Sequence, residues 1–304
     1  MRPLHALLVL GLASCGSGSA AEPLVVYNAG SLARPMRAVM DSFARRERVR
    51  VAQESAGSLE TARKLTELGK VPDIIALADV AVFPEYLVPN HVDEYVIFAR
   101  NRMVVAYTGD SRYASEISTA SWPDILSRDG VEVGRSDPQL DPNGYRTLMV
   151  WQLAAATRRQ TDLPVQLRAR APDRNVRPKE ADLVGLLQAG EYDYIWSYES
   201  MAKSIGLRYV LLGDSVDLSQ PALSEFYRTA NVTVRGKSPR DSVTFVGTPI
   251  AYALAVPRAA PHPELAERFL RFLLSADGRA ILRREGMDAL DVPVTRAGQA
   301  ADAR

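Results

Sequence analysis

Leu24-Val25-Val26-Tyr27-Asn28-Ala29-Gly30-Ser31-Leu32 is the stretch that decides the fold of this chain. Its apolar start predicts a strand, Asn28-Ala29-Gly30-Ser31 a turn, and the amphipathic stretch over 32–45 a helix. The same turn recurs as Ala56-Gly57-Ser58-Leu59, after the alternating Val49-Arg50-Val51-Ala52-Gln53 and before a second helix ending near Gly69. In each turn a Gly permits close backbone approach and a Ser stands where a helix N-cap belongs. The free N–H groups and positive end of a helix make such a turn an anion site. A Ser at an N-cap also simply caps its own helix. Two such turns after the first two strands of one domain face the same sheet edge, where open α/β sheets bind ligands.

The rest of the chain continues the alternation of short apolar runs and amphipathic stretches, so the fold class is α/β. Strands are expected over 73–77, 96–99, 103–107, 131–134, 192–198, 208–212 and 251–256. Helices are expected from Ser121-Trp122-Pro123-Asp124, from Pro142-Asn143-Gly144-Tyr145 to about 156, and over 180–188. Leu265, Phe269, Phe272 and Leu273 mark one face of a C-terminal helix. The polar, proline-bearing segment 158–178 reads as a surface excursion.

The 304 residues suffice for about two domains at roughly 100–200 residues each. With 37 basic against 36 acidic residues, nothing in the balance draws the chain to a nucleic-acid backbone. Catalytic constellations are missing as well. His5 falls in the leader, leaving His91 and His262, and Gly134-Arg135-Ser136-Asp137-Pro138 fails the last place of a nucleophile elbow. The sequence has no P-loop, no H-E-x-x-H and no dinucleotide fingerprint, so neither an enzyme nor a cofactor is expected.

Arg2 opens an apolar run that ends in Leu12-Ala13-Ser14-Cys15, and Gly16-Ser17-Gly18-Ser19-Ala20-Ala21 follows as a flexible tether. The order resembles the bacterial lipoprotein box, whose Cys becomes the lipidated first residue. Cys15 is the only cysteine, so it has no internal disulfide partner. An ordinary signal peptide cut near Ala20-Ala21 is the alternative. A chain tethered outside the cell, beside the membrane, is expected.

From Leu24 onward the chain resembles the molybdate/tungstate-binding proteins of ABC importers, of the type common in archaea. The resemblance rests on Gly30-Ser31-Leu32, Gly57-Ser58 and Arg63-Lys64-Leu65-Thr66-Glu67-Leu68-Gly69-Lys70, then Asn101-Arg102-Met103-Val104-Val105-Ala106-Tyr107 and Asp141-Pro142-Asn143-Gly144-Tyr145-Arg146. Arg177-Pro178-Lys179, Gly190-Glu191-Tyr192-Asp193-Tyr194 and Ser275-Ala276-Asp277-Gly278-Arg279 extend it. It implies a two-lobed periplasmic-binding-protein type II fold, with a ligand cleft between lobes joined by two crossing segments near 102–107 and 248–256. Residues 1–21 would be signal and tether, 22–104 and 250–304 the first lobe, and 105–249 the second.

The resemblance further implies that Gly30, Ser31, Gly57 and Ser58 hold a tetrahedral oxyanion, with a backbone contact near Ala78. Two carboxylates of the second lobe would bind the metal atom of that oxyanion, with no other metal required. One corresponds to Asp141, although an Asp before Pro and Gly is also an ordinary helix cap. The other falls in a D-Y-x-F-E-Y pattern that reads Asp193-Tyr194-Ile195-Trp196-Ser197-Tyr198 here, so Ser197 stands in place of the Glu. Glu199, on the same face of a continuing strand, is the candidate substitute. Tyr145, Trp196 and Tyr252 are candidate cleft-lining aromatics. The partners implied are molybdate or tungstate, the ABC permease with its ATPase, and the membrane through a lipid anchor, the chain acting as a monomer. Another oxyanion or small acid (sulfate, phosphate), or a sensory ligand-binding module, is the alternative function.

Overall fold

The computed structural model describes residues 22–236 and 240–297. Cys15 and the tether lie outside the described residues. The first part of the chain runs β1 (Leu24–Ala29), α1 (Ala33–Glu47), β2 (Val51–Ala56), α2 (Ser58–Leu68), β3 (Ile74–Leu77), β4 (Glu94–Arg100) and β5 (Met103–Tyr107). It continues through α3 (Trp122–Leu126), β6 (Val133–Ser136), α4 (Pro142–Arg158), α5 (Leu163–Arg170), β7 (Val176–Arg177), α6 (Glu180–Gln188), β8 (Tyr194–Tyr198) and α7 (Glu199–Ile205). The last part comprises β9 (Arg208–Leu211), α8 (Ser224–Tyr227), β10 (Asn231–Arg235), β11 (Ser242–Val246), β12 (Ala251–Ala255), α9 (Pro263–Leu274), α10 (Ala276–Arg284) and β13 (Asp288–Ala297).

These strands form two main sheets, and the fold is a two-lobed α/β architecture. One sheet has the order β13-β4-β12-β3-β1-β2, the other β7-β6-β8-β5-β9, and β10 and β11 make a separate hairpin. The chain leaves the first sheet through Asn101-Arg102 and returns between β11 and β12. Because β5 already pairs with β8 and β9, the second sheet begins at Met103.

Amphipathic spacing builds each lobe. Met36, Val39, Met40 and Phe43 are fully buried along one face of α1. Phe43 meets Phe269 and Phe272 of α9, with ring centroids 5.2 and 5.7 Å apart. In the second lobe Trp196 lies edge-on to Trp122 at 5.5 Å and near Trp151 at 6.1 Å, which makes it a core residue.

Three readings of the sequence need correction. The segment 158–178 contains α5, whose Leu163 and Leu167 are buried, and β7, which extends the second sheet. The β10–β11 hairpin and β13 were not foreseen. Asn231-Val232-Thr233-Val234-Arg235 and Ser242-Val243-Thr244-Phe245-Val246 do alternate, with Val234 and Phe245 buried, but each run is only five residues long, and β13 is largely exposed. The strand over 192–198 begins at Tyr194 and stops at Tyr198, where α7 starts.

Candidate functional site

Sheet order creates the site. In the first lobe β2, β1 and β3 are parallel neighbours, so Gly57-Ser58, Gly30-Ser31 and Ala78-Asp79 follow their carboxyl ends on one edge. In the second lobe β7, β6 and β8 are likewise parallel neighbours, and Glu180, Asp141 and Ser197 lie at or just beyond their carboxyl ends. The two edges face each other, where α/β sheets bind ligands.

They meet helix start to helix start. A Cβ on Gly57 would lie 2.2 Å from the Leu140 carbonyl oxygen and 3.3 Å from the Asp141 Cα, so only glycine fits there. The Leu59 and Glu60 N–H groups donate to that same carbonyl at 3.0 and 3.3 Å. A Cβ on Gly30 would meet Lys179 and Ala181, at 3.6 and 3.7 Å, on either side of Glu180. The positive starts of α2, α4 and α6 therefore converge on one buried spot.

Neither serine of the repeated turn caps its helix. Ser58, fully buried, accepts a hydrogen bond from the Ala78 N–H at 3.0 Å. Ser31 accepts from the Tyr252 hydroxyl at 3.1 Å, and Tyr252 in turn accepts from Asn101 Nδ2 at 2.7 Å. The predicted residues Gly30, Ser31, Gly57, Ser58, Ala78 and Tyr252 thus come together.

Asp141 does two things at once. Its Oδ1 accepts from the Asn143 N–H at 3.2 Å, capping α4, while Oδ2 accepts from the Glu180 N–H at 2.7 Å. Burial pushes its pKa up to about 6, against the opposing effect of those two N–H donors. Glu180 is the residue that the sequence reading missed. It is 1% exposed, and its Oε1 accepts from Ser197 Oγ and from the Tyr198 N–H, both at 2.6 Å. Burial, reinforced by the nearby Asp141 charge, pushes its pKa up to about 8. Its Oε2 is buried without a hydrogen-bond partner, as is Asn143 Nδ2 in the first turn of α4. Buried polar atoms without partners are costly in a folded protein, and these two, at the starts of α4 and α6, are candidate contacts for a ligand.

Ser197 therefore serves Glu180. Glu199 does not join the cluster: it opens α7 and pairs with Lys203 at 3.0 Å and Arg102 at 3.4 Å. The strand that would have kept it on the face of Ser197 has ended. Tyr145 is buried, stacked on Phe245 at 4.8 Å, with its hydroxyl donating to Asp79. Among the described residues no group of three or more His, Cys, Asp or Glu side chains gathers as a resident metal site.

A buried polar cluster between two lobes, built from helix starts at the carboxyl ends of both sheets, lies where α/β folds hold a ligand. The chain belongs to the bacterial extracellular solute-binding protein family, whose sequence profile matches residues 24–288. It is 41% identical to a solute-binding protein of Petrotoga mobilis described as uncharacterized, over 89% of this chain and 84% of that one. It is 35% identical to the molybdate/tungstate-binding protein WtpA of Pyrococcus abyssi, over 94% of this chain and 91% of that one. The periplasmic molybdate-binding protein of Azotobacter vinelandii has a similar fold, with a TM-score of 0.61 at 14% identity, covering 87% of this chain and 98% of that one. The family is one of extracellular solute-binding proteins, and no helix among the described residues is long and apolar enough to cross a membrane.

Proposed function

We propose that this chain captures molybdate or tungstate outside the cell and delivers it to an ABC permease and its ATPase. The observation that carries this reading is the buried pair Asp141 and Glu180, set against the two Gly-Ser turns with Glu180 Oε2 unpartnered. Two carboxylates beside a dianion repel it by about 4 kcal/mol per charge pair at 4 Å and an effective dielectric near 20. They are tolerable if they bond to the central atom. Molybdenum and tungsten accept additional oxygen ligands, and a tetrahedral sulfur does not. Asp141 and Glu180 fill the two carboxylate places, so the serine at 197 removes no ligand. Hydroxyls and amides of Ser31, Ser58 and Ala78 hold the oxyanion from the first lobe, and the lobes close over it by a hinge at the two crossings. Lipidation of Cys15 keeps the monomer beside its permease.

Calorimetric titration of residues 21–304 with tungstate, molybdate, sulfate and phosphate tests the reading. Tight binding of the first two alone is expected. A preference for sulfate or phosphate refutes it and favours a second use of Glu180, whose raised pKa lets a protonated carboxyl donate to an oxyanion.

A further inference from the structure

We propose that Arg146 and Asp79 form a latch between the lobes that makes retention of the solute depend on closure. The proposal rests on the hinge closure described above. Arg146 projects from α4 in the second lobe, yet its partners lie largely in the first. Its Nη1 donates to the Ala78 carbonyl at 2.7 Å, and its Nη2 lies 2.9 Å from Asp79 Oδ2. Tyr145, the preceding residue of α4, donates its hydroxyl to the same Asp79 oxygen. All three contacts fall on the two residues that follow β3. Both charged side chains are almost wholly buried, at 2% and 4% exposure.

Such a pair is two-sided. Burying two charges is expensive, and their attraction offsets that expense only when geometry and further hydrogen bonds are good. Further bonds hold each partner, since Nη1 also donates to the Tyr198 hydroxyl at 2.7 Å and Asp79 Oδ1 accepts from the Ala81 N–H at 2.9 Å, while Nη2 faces Asp79 as a charge contact without a hydrogen bond of its own. Burial works against the Arg146 charge, but the Asp79 carboxylate and the Tyr198 and Tyr145 oxygens hold its pKa above the ordinary guanidinium value. When the lobes part, water replaces the partner and neither charge is stranded. Removing one partner therefore penalises the closed form alone, because it leaves the other charge buried without its counterion. Position adds a second effect. Asp79 directly follows Ala78, so its negative charge lies beside the proposed oxyanion cradle, and only a closed second lobe brings Arg146 to neutralise it.

The test uses Arg146→Met, Asp79→Asn and the double variant, with tungstate as probe. Stopped-flow and small-angle scattering follow binding and closure. Arg146→Met is expected to speed tungstate release about 100-fold and leave association within about threefold. Scattering should show loaded Arg146→Met as extended as the ligand-free protein. The ligand-free melting temperature should stay within about 3 °C of wild type, which a merely structural role would not allow. The double variant should recover at least about tenfold of the loss, the signature of coupled residues. Unchanged release from Arg146→Met, or losses that simply add in the double variant, overturn the latch. If wild type ignores tungstate and molybdate, the ligand reading falls instead, and the same cycle with whichever of sulfate or phosphate binds decides the latch.

Discussion

Glu180→Gln separates the two roles that the buried carboxylate is assigned. Its pKa rises from 4.5 to about 8 in the folded protein, principally through burial. The native state therefore holds a proton that the unfolded chain gives up above pH 4.5. The stability contributed by that proton is complete below pH 4.5 and is lost as pH climbs towards 8. At pH 7 the loss is about 3 kcal/mol, and by pH 8 up to about 5 kcal/mol, at 1.36 kcal/mol per pH unit. Glutamine has nearly the same shape, accepts the Ser197 and Tyr198 hydrogen bonds through its oxygen, and does not ionise. Ligand-free Glu180→Gln should accordingly match wild type near pH 4.5 and exceed it by up to about 3 kcal/mol at pH 7, as read from urea midpoints. Tungstate affinity should move the other way and fall at least about 100-fold, because loss of even an outer-shell partner of a metal costs about 10–100-fold. Parallel pH profiles for the two proteins would refute the buried, titrating Glu180. Stabilisation with undiminished tungstate affinity would refute its role as a ligand and leave it a structural acid.

Other substitutions probe the neighbouring elements. Gly57 has φ −64°, which alanine adopts freely, but its Cβ would strike the Leu140 carbonyl across the cleft. Gly57→Ala should melt like wild type when ligand-free and bind tungstate at least about tenfold more weakly, and a lowered ligand-free melting temperature would place the clash within one lobe. Ser197→Ala removes a donor to Glu180 and should weaken tungstate binding about tenfold, while equal affinity would reduce Ser197 to packing. Selectivity for tungstate over sulfate should increase between pH 6 and 9, by up to about tenfold per unit where sulfate needs Glu180 protonated; a flat ratio in parallel titrations counts against coordination by the carboxylate. Cys15→Ala should shift the full-length protein from the membrane to the soluble fraction, and unchanged fractionation would remove the anchor.

What was legible in the sequence is what local chemistry encodes. Alternation and 3.6-residue spacing place β1, α1 and α9, and α6 spans the 180–188 foreseen. The repeated Gly-Ser turns point to the cleft because both follow strands of the same sheet. Glu180 was not legible, since an acidic residue in the first turn of a helix is an ordinary partner of the helix dipole. What distinguishes it is the order β7-β6-β8, which carries residues 141, 180 and 197 to one edge although up to 56 positions separate them. Arg146 was hidden for the same reason, because its carbonyl and carboxylate partners at 78 and 79 belong to the other lobe. Glu199 misled because face-sharing holds only while a strand continues, and β8 ends one residue too soon.

The charges around the cleft constrain how selection can work. Among the described residues three arginines are buried and each faces a carboxylate, Arg146 that of Asp79, Arg63 that of Glu67 and Arg135 that of Asp173. Lys179 is turned to the Ser55 carbonyl at 3.2 Å and to Asp182 at 3.7 Å. Asp141 and Glu180 add negative charge in proportion to their ionisation. A dianion entering this site thus meets no net positive charge, in contrast to sites that hold phosphate with unpaired arginines. Its attraction must come from helix starts, hydroxyls and backbone amides, which every tetrahedral oxyanion satisfies alike. Discrimination is left to the carboxylates. An oxyanion whose central atom takes additional ligands converts their repulsion into bonds, whereas one with a closed shell meets either two negative charges or the cost of keeping Glu180 protonated. On the proposed reading, the raised pKa values are therefore the means of selection: they penalise an empty or wrongly filled closed cleft and are relieved when a metal centre accepts the carboxylate oxygens.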